Sequence, residues 1–268
     1  MISVVIIAFN EEEWLENCIL SARQIADEIV VVVDDKTTDK TAEIAKKFGA
    51  KVFIHKFEGF SEMKNFAFSK ATSDWIFSLD SDERISKELA QEIKEKLKTT
   101  PLESAFFVNR KNIFLGKKMH HGGWWPDPVI RLVRRDKFTK WSGELHEVLG
   151  ESGQVGHLNE VIYHLSHRGI TWMLETSIKY TQSEADLRYK VGHPKVVWWR
   201  FFRVMATEFW YRLVQKSGWR DGTVGWIEAI SQAFNMFLVY ARLWEMQQGK
   251  PMDTIYKELD KEMAKNGF

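Results

Sequence analysis

Through its first hundred residues the chain alternates apolar runs with helical stripes. Val4 to Phe9 is a continuous apolar run, the mark of a strand covered on both faces. Asn10 follows, with Glu13 three residues on, as in a capping box. Trp14, Leu15, Cys18, Ile19, Ala22 and Ile25 then recur at helical spacing. A second apolar run, Ile29 to Val33, ends in Asp34-Asp35. Thr41 to Phe48 predicts a helix stopped by Gly49, and Lys51 to His55 a third strand. Ser61 to Ala71 is a helical stretch with Met63, Phe66 and Ala67 on one face. Trp75, Ile76, Phe77 and Leu79 predict a buried fourth strand, and Leu89, Ile93 and Leu97 stripe a helix over Ser86 to Lys98. Asp80, Ser81, Asp82 and Glu83 suit no buried strand, so the fourth strand is expected to stop there at a solvated edge.

Strand–helix alternation four times over predicts an α/β fold, a Rossmann-like, mostly parallel sheet covered by helices. In open sheets of this kind, ligands bind beyond the carboxyl ends of the strands. Asn10, Asp34-Asp35 and Asp80-Ser81-Asp82 should therefore gather on one edge. No glycine-rich phosphate loop follows the first strand, so phosphate charge must be met another way. Carboxylates spaced i, i+2 at a strand end can face one divalent cation with hard oxygen ligands. Taken alone, such a pair reads first as a solvated acidic turn.

Four stretches in order change that reading. Val5-Ile6-Ile7-Ala8-Phe9-Asn10-Glu11, Val32-Val33-Asp34-Asp35-Lys36-Thr37-Thr38-Asp39-Lys40-Thr41, Lys64-Asn65 and Leu79-Asp80-Ser81-Asp82-Glu83 together resemble the signature of family 2 glycosyltransferases. Gly123-Trp124-Trp125-Pro126-Asp127, Arg131-Leu132, His146-Glu147 and Gly218-Trp219-Arg220-Asp221-Gly222 are similar to lipopolysaccharide inner-core glucosyltransferases of that family. The resemblance implies a GT-A fold, a nucleotide-sugar donor such as UDP-glucose, a divalent cation (Mn2+ or Mg2+) and an inverting transfer. It places Ala8, Asn10, Glu11, Asp34, Lys64, Asp80, Ser81 and Arg131 against the donor, and Asp80, Asp82 and His146 about the metal, with Asp82 the direct ligand. It favours Glu147 as the base, with Asp127 second. Asp35-Lys36 stands where the family usually carries small residues, which alters the loop there. Asn10 and Asp39 also read as helix caps alone, and Lys64 as a solvated charge on a helix.

The middle segment supplies shape and charge. Ala105 to Val108 and Val129 to Val133 predict further strands, with a loop of Gly, Pro and paired tryptophans between them. Trp124 and Trp125 suit a sugar-binding surface or a place in the core. Arg131, Arg134 and Arg135 supply positive charge that suits a phosphate or simply faces solvent; positions 131, 133 and 135 share one strand face, so Arg131 and Arg135 can point together. An inverting transfer needs a carboxylate to accept the acceptor's proton. His157, His164 and His167 lack a cysteine or acidic partner cluster and do not predict zinc.

The second half differs in character. Seven of the 12 tryptophans lie between Trp172 and Trp244. Helical periodicity runs from Thr171 to Leu187, through Val196 to Val214 and over Ile227 to Met246. These positions divide the chain into a catalytic domain at 1–168 and a helical, aromatic-rich region at 169–268. Arg200, Arg203, Glu208 and Arg212 interrupt the aromatic run, which is poor for spanning a membrane but suits a helix at its headgroup level. Core packing or a homo-oligomer contact are the other readings of that face.

Net charge is +1, which gives no drive toward nucleic acid. One cysteine excludes an internal disulfide framework. The first residues do not read as a signal peptide, and no window carries about 18 uninterrupted apolar residues. The expectation is a cytoplasmic protein, peripheral at the inner face of the membrane, acting on a lipid-linked or glycolipid acceptor. A nucleotidyltransferase would want a basic, glycine-rich loop where Glu11-Glu12-Glu13 stands. A non-catalytic nucleotide-binding scaffold has no use for intact Asp80, Asp82 and Glu147.

Overall fold

A computed structural model describes residues 1–99, 101–143 and 148–267. The elements follow the chain as β1 (Ile2–Ala8), α1 (Leu15–Ala22), β2 (Glu28–Asp34), α2 (Thr41–Lys47), β3 (Lys51–His55), α3 (Phe60–Ser69), β4 (Trp75–Asp80), β5 (Glu83–Ile85) and α4 (Lys87–Lys98). They continue with β6 (Ala105–Phe114), β7 (Lys117–Lys118), β8 (Pro128–Arg134), β9 (Phe138–Ser142), β10 (Val148–Glu151) and β11 (Val155–His164). Four helices complete the chain: α5 (Ile170–Lys190), α6 (Trp198–Trp210), α7 (Gly222–Met246) and α8 (Met252–Asn266).

The α/β class is as expected. The main sheet runs β3-β2-β1-β4-β8-β6-β11-β5, and β9 and β10 form a separate pair. Strands β3, β2, β1 and β4 are parallel. Beyond β4 the sheet is mixed, because β8 runs antiparallel to both β4 and β6. Helices α1, α2 and α3 join the first four strands and return the chain in a parallel sense, while β11 pairs parallel with β6 and antiparallel with β5.

Alternation along each strand fills two cores. Val4, Ile6, Val31, Val33, Phe77 and Leu79 pack on the face covered by α1 and α4. Val5, Val30, Val32 and Ile76 pack on the opposite face with Met63, Ala67 and Phe68 of α3. Burial on both faces is why β1 and β2 read as unbroken apolar runs.

Three local expectations are corrected. The helix after β1 starts at Leu15 with Trp14 at its cap position, and no side chain caps it. Asn10 instead adopts positive φ (52°), a conformation Asn tolerates better than most residues. The chain does not reach a solvated edge after Asp80, since Ser81 and Glu83 are buried and Glu83 opens β5. Arg135 lies past the end of β8 in a short 3-10 turn and is exposed, whereas Arg131 is buried in the strand. The two arginines therefore do not share a strand face.

The chain divides into two compact units, residues 1–119 with 124–166, and residues 120–123 with 167–268. In the second unit, Asp221 accepts from the backbone N–H of His120 (3.0 Å) and His121 (2.8 Å) and lies 3.1 Å from His121 Nδ1. These bonds outweigh burial and hold its carboxyl below the usual range. α7 begins beside a glycine contact, because a Cβ on Gly225 would sit 1.9 Å from the Gly218 carbonyl oxygen. α6 passes into a single π-helical turn, Tyr211–Gln215, before the chain turns toward α7.

Candidate active site

The strand ends meet as expected. In the parallel register Ala8 faces Val33 and Ile7 faces Asp80, so Ala8, Asp34 and Asp80 close three adjacent strands on one edge. The loops above them are fastened together. Asn10 Oδ1 accepts from Thr38 N (2.9 Å), Glu11 N donates to Thr41 Oγ1 (2.7 Å) and Glu12 N donates to Asp39 Oδ2 (3.0 Å). Asp39 also accepts from Thr41 N through Oδ1 (2.9 Å), so it serves the start of α2 and the loop junction together. Asp34 is buried and turns its own loop, with Oδ1 accepting from Lys36 N at 3.0 Å.

Asp80 is the best-anchored acid of the set. Arg131 Nη2 donates to Asp80 Oδ2 at 2.6 Å and to Glu83 Oε1 at 2.5 Å. Lys64 Nζ lies 3.9 Å from Asp80 Oδ1 and 4.8 Å from the centroid of the Trp141 ring. Lys64 is buried, not a solvated helix charge, because α3 turns it onto the sheet. Asn65 beside it exchanges two bonds with the Trp141 backbone, at 2.8 and 3.0 Å, and so fixes β9 against α3.

The electrostatics follow from one cation serving two carboxylates. Burial would raise the Asp80 carboxyl, but Arg131 and Lys64 outweigh it and hold that acid well below the ordinary range. For Glu83, burial pushes up, Arg131 pulls down and Asp80 pushes up again, and the net direction is up. One guanidinium does not neutralise both acids equally, so their titrations are driven apart.

Asp82 belongs to a second network that extends to Asp127. His164 Nε2 is 3.4 Å from Asp82 Oδ2, and its Nδ1 is 2.6 Å from Asn112 Oδ1. Asn112 Nδ2 donates to Asp127 Oδ2 at 2.9 Å, where Arg110 Nε also donates at 2.9 Å. Burial lowers the His164 pKa and Asp82 raises it, and the net direction is up. Trp124 meets Phe114 edge-on with ring centroids 4.7 Å apart, and Lys111 Nζ lies 4.1 Å above Trp125. Both tryptophans are half-buried.

Direct contacts thus join Lys64, Asp80 and Arg131, and a chain of contacts joins Asp82 to Asp127. His146 and Glu147 lie outside the described residues. Arg131 spends its Nη2 on two carboxylates, so its evident task is to hold Asp80 and Glu83. Glu83, His164, Asn112 and Arg110 are partners of the site that the sequence alone does not reveal. Glu83 stands next to the acidic pair but reads as solvent-facing, and His164 belongs to a loose histidine run that predicts no metal site. Asn112 and Arg110, inside a long strand, carry no local signal.

Residues 3–147 match the family Glycosyl transferase family 2, and the chain belongs to that family of glycosyltransferases. It is 28% identical over 259 residues to the lipopolysaccharide core biosynthesis glycosyltransferase LpsC of Rhizobium meliloti, covering 91% of this chain and 92% of the relative. An uncharacterized glycosyltransferase of Rickettsia conorii is also 28% identical, covering 96% of this chain and 95% of its own. Among solved structures, S. aureus TarS 1-349 in complex with UDP-GlcNAc is similar at a TM-score of 0.48 and 13% identity, over 93% of this chain and 92% of that one. Glucosyl-3-phosphoglycerate synthase from Mycobacterium tuberculosis, in complex with Mn2+, UDP and glucosyl-3-phosphoglycerate, is similar at 0.47 and 20%, over 73% and 81%. Among the described residues no helix is long and apolar enough to cross a membrane.

Proposed function

We propose that this glycosyltransferase moves a sugar from a nucleotide-diphosphate sugar, UDP-glucose or a close analogue, to a lipid-linked or lipopolysaccharide-core acceptor, with inversion and with a divalent cation. The observation that carries the reading is the cluster of half-buried Asp80 with buried Arg131 and Lys64, beside Asp82 at the end of β4. It is supported by the 28% identity to a lipopolysaccharide core enzyme along 91% of the chain.

The donor set suits a cation that arrives with its substrate. Among the described residues no three acidic, histidine or cysteine side chains stand together as a metal cage. Mg2+ is commonly held by one or two carboxylates, with substrate phosphates completing its sphere. Asp80 is already turned to Arg131 and Lys64, so Asp82 would be the direct protein ligand. A bound cation would offset the charge that grows on the departing diphosphate.

The remaining roles belong to the chain's own groups. Lys64 adds fixed positive charge near the diphosphate, in a position that needs no reorganisation during reaction. Arg131 keeps Asp80 ionised and in place. Glu147, with Asp127 second, accepts the proton of the acceptor hydroxyl as its oxygen attacks the anomeric carbon and the diphosphate leaves.

Thermal unfolding against a set of nucleotide-sugars, with and without Mn2+ or Mg2+, tests the donor. A UDP-sugar should raise the midpoint only when the metal is present. Glu147→Gln should abolish transfer while that shift persists. If Glu147→Gln turns over near normally and Asp127→Asn does not, Asp127 is the base.

A further inference from the structure

The helices of the second unit carry an uncovered aromatic face. Trp198, Phe202 and Trp210 are exposed at 73%, 69% and 57%. They fall at i, i+4 and i+12 of α6, which keeps them within about a third of the helix circumference. Trp198 and Phe202 meet edge-on at 6.4 Å, so they form one patch. α7 adds to it through Phe209–Trp226 at 6.1 Å and Phe201–Phe237 at 5.6 Å, while Trp226 and Ile230 stay exposed.

Charge says what covers this face. From Lys195 to Arg220 the chain carries six basic side chains and a single acid, Glu208, in a protein whose net charge is +1. Three of the exposed cations sit over exposed rings: Arg203 at 5.3 Å from Trp199, Lys216 at 5.5 Å from Tyr211 and Arg220 at 5.9 Å from Trp219. None of these three forms an ion pair among the described residues. Amphipathic rings with a cation above them suit the boundary where acyl chains meet anionic headgroups. A second copy of the chain is a poorer occupant, since a two-fold contact would set basic rims against each other.

We infer that the α6–α7 pair docks flat on an anionic lipid bilayer, with Trp198, Phe202 and Trp210 at headgroup depth and Arg203, Lys216 and Arg220 against lipid phosphates. The inference concerns where the enzyme sits and does not depend on the donor or acceptor named above.

Flotation of the full chain with phosphatidylcholine vesicles, with and without phosphatidylglycerol, tests it. Neither vesicle carries a sugar acceptor and no donor is added, so the result bears on the surface alone. The wild type should float with the anionic vesicles, less at higher salt. Arg203→Glu and Arg220→Glu should each weaken binding about fivefold or more. Trp198→Ala with Phe202→Ala should remove most of it, and brominated lipid should quench tryptophan emission in the wild type only at anionic vesicles. These residues are exposed, so circular dichroism and thermal midpoint should stay at the wild-type values. No flotation at low salt overturns the inference. So does flotation unchanged in both kinds of variant, or a lipid-free dimer that Trp198→Ala with Phe202→Ala dissolves.

Discussion

Arg131 Nη2 stands 2.6 Å from Asp80 Oδ2 and 2.5 Å from Glu83 Oε1, so a single buried nitrogen ties the end of β4 to the start of β5. Removing it would leave the fully buried Glu83 without its counter-charge and Asp80 with Lys64 alone, at 3.9 Å. Breaking a buried ion pair from one side costs about 3–5 kcal/mol. Arg131→Met is therefore expected to lower unfolding stability by roughly that amount in urea, and to reduce transfer with it. A variant of wild-type stability would show that the contacts of Arg131 with Asp80 and Glu83 contribute no net stability.

The route from Asp82 through His164 and Asn112 to Asp127 positions an acid. Asn112→Ala removes its central link while Arg110 still contacts Asp127. If Asp127 acts on the acceptor, kcat should fall up to about 100-fold, because small displacements of reacting groups are costly. The donor KM should change little. Steady-state kinetics at saturating acceptor read the split, and an unchanged kcat would leave Asp127 a structural acid.

Glu28 should govern part of the acid sensitivity. Burial raises its pKa, but bonds from Lys51, Ser3 and Thr72 bring it from 4.5 down to about 2. The folded value lies below the unfolded one, so the stabilisation is present above pH 4.5 and lost as pH falls toward 2. At about 1.4 kcal/mol per unit it amounts to about 3 kcal/mol. Urea midpoints at stepped pH should fall through that window in the wild type, and much less in Glu28→Gln.

Gly225→Ala should be disruptive. The new methyl would lie 1.9 Å from the Gly218 carbonyl oxygen, which is backbone and has little room to yield. Overpacking of this kind costs about 1–3 kcal/mol or more, read as a lower thermal midpoint. Gly169→Ala is the control. Gly169 has extended backbone, and a methyl added there would meet nothing within 4 Å, so the midpoint should hold or rise slightly.

Much of the first unit was legible along the chain. β1 to β4 and α1 to α4 fall within a few residues of their apolar runs and stripes. Local composition is informative there because each strand lies between two helix layers and each helix buries one stripe. Lys64 was legible as a basic residue ahead of the acidic strand, but its burial was not. A helical lysine looks the same in sequence whether it faces water or, as here, Asp80 and the Trp141 ring. The Asn10 cap failed for a related reason: its side chain found a nonlocal partner, Thr38 N, and left the helix start uncapped.

The sequence by itself determined the α/β class, the family and the acids at the ends of β2 and β4. Those follow from periodicities of two and 3.6 residues and from motifs read over short spans. Tertiary structure decided which charges meet. β11 pairs with β6 so that His164 stands opposite Asn112, and with β5 so that His164 stands opposite Glu83. β8 runs back between β4 and β6 and delivers Arg131 to Asp80. Those contacts join residues about fifty positions apart. They are set by strand order and register, which depend on the packing of the whole sheet and leave no mark on the residues nearby.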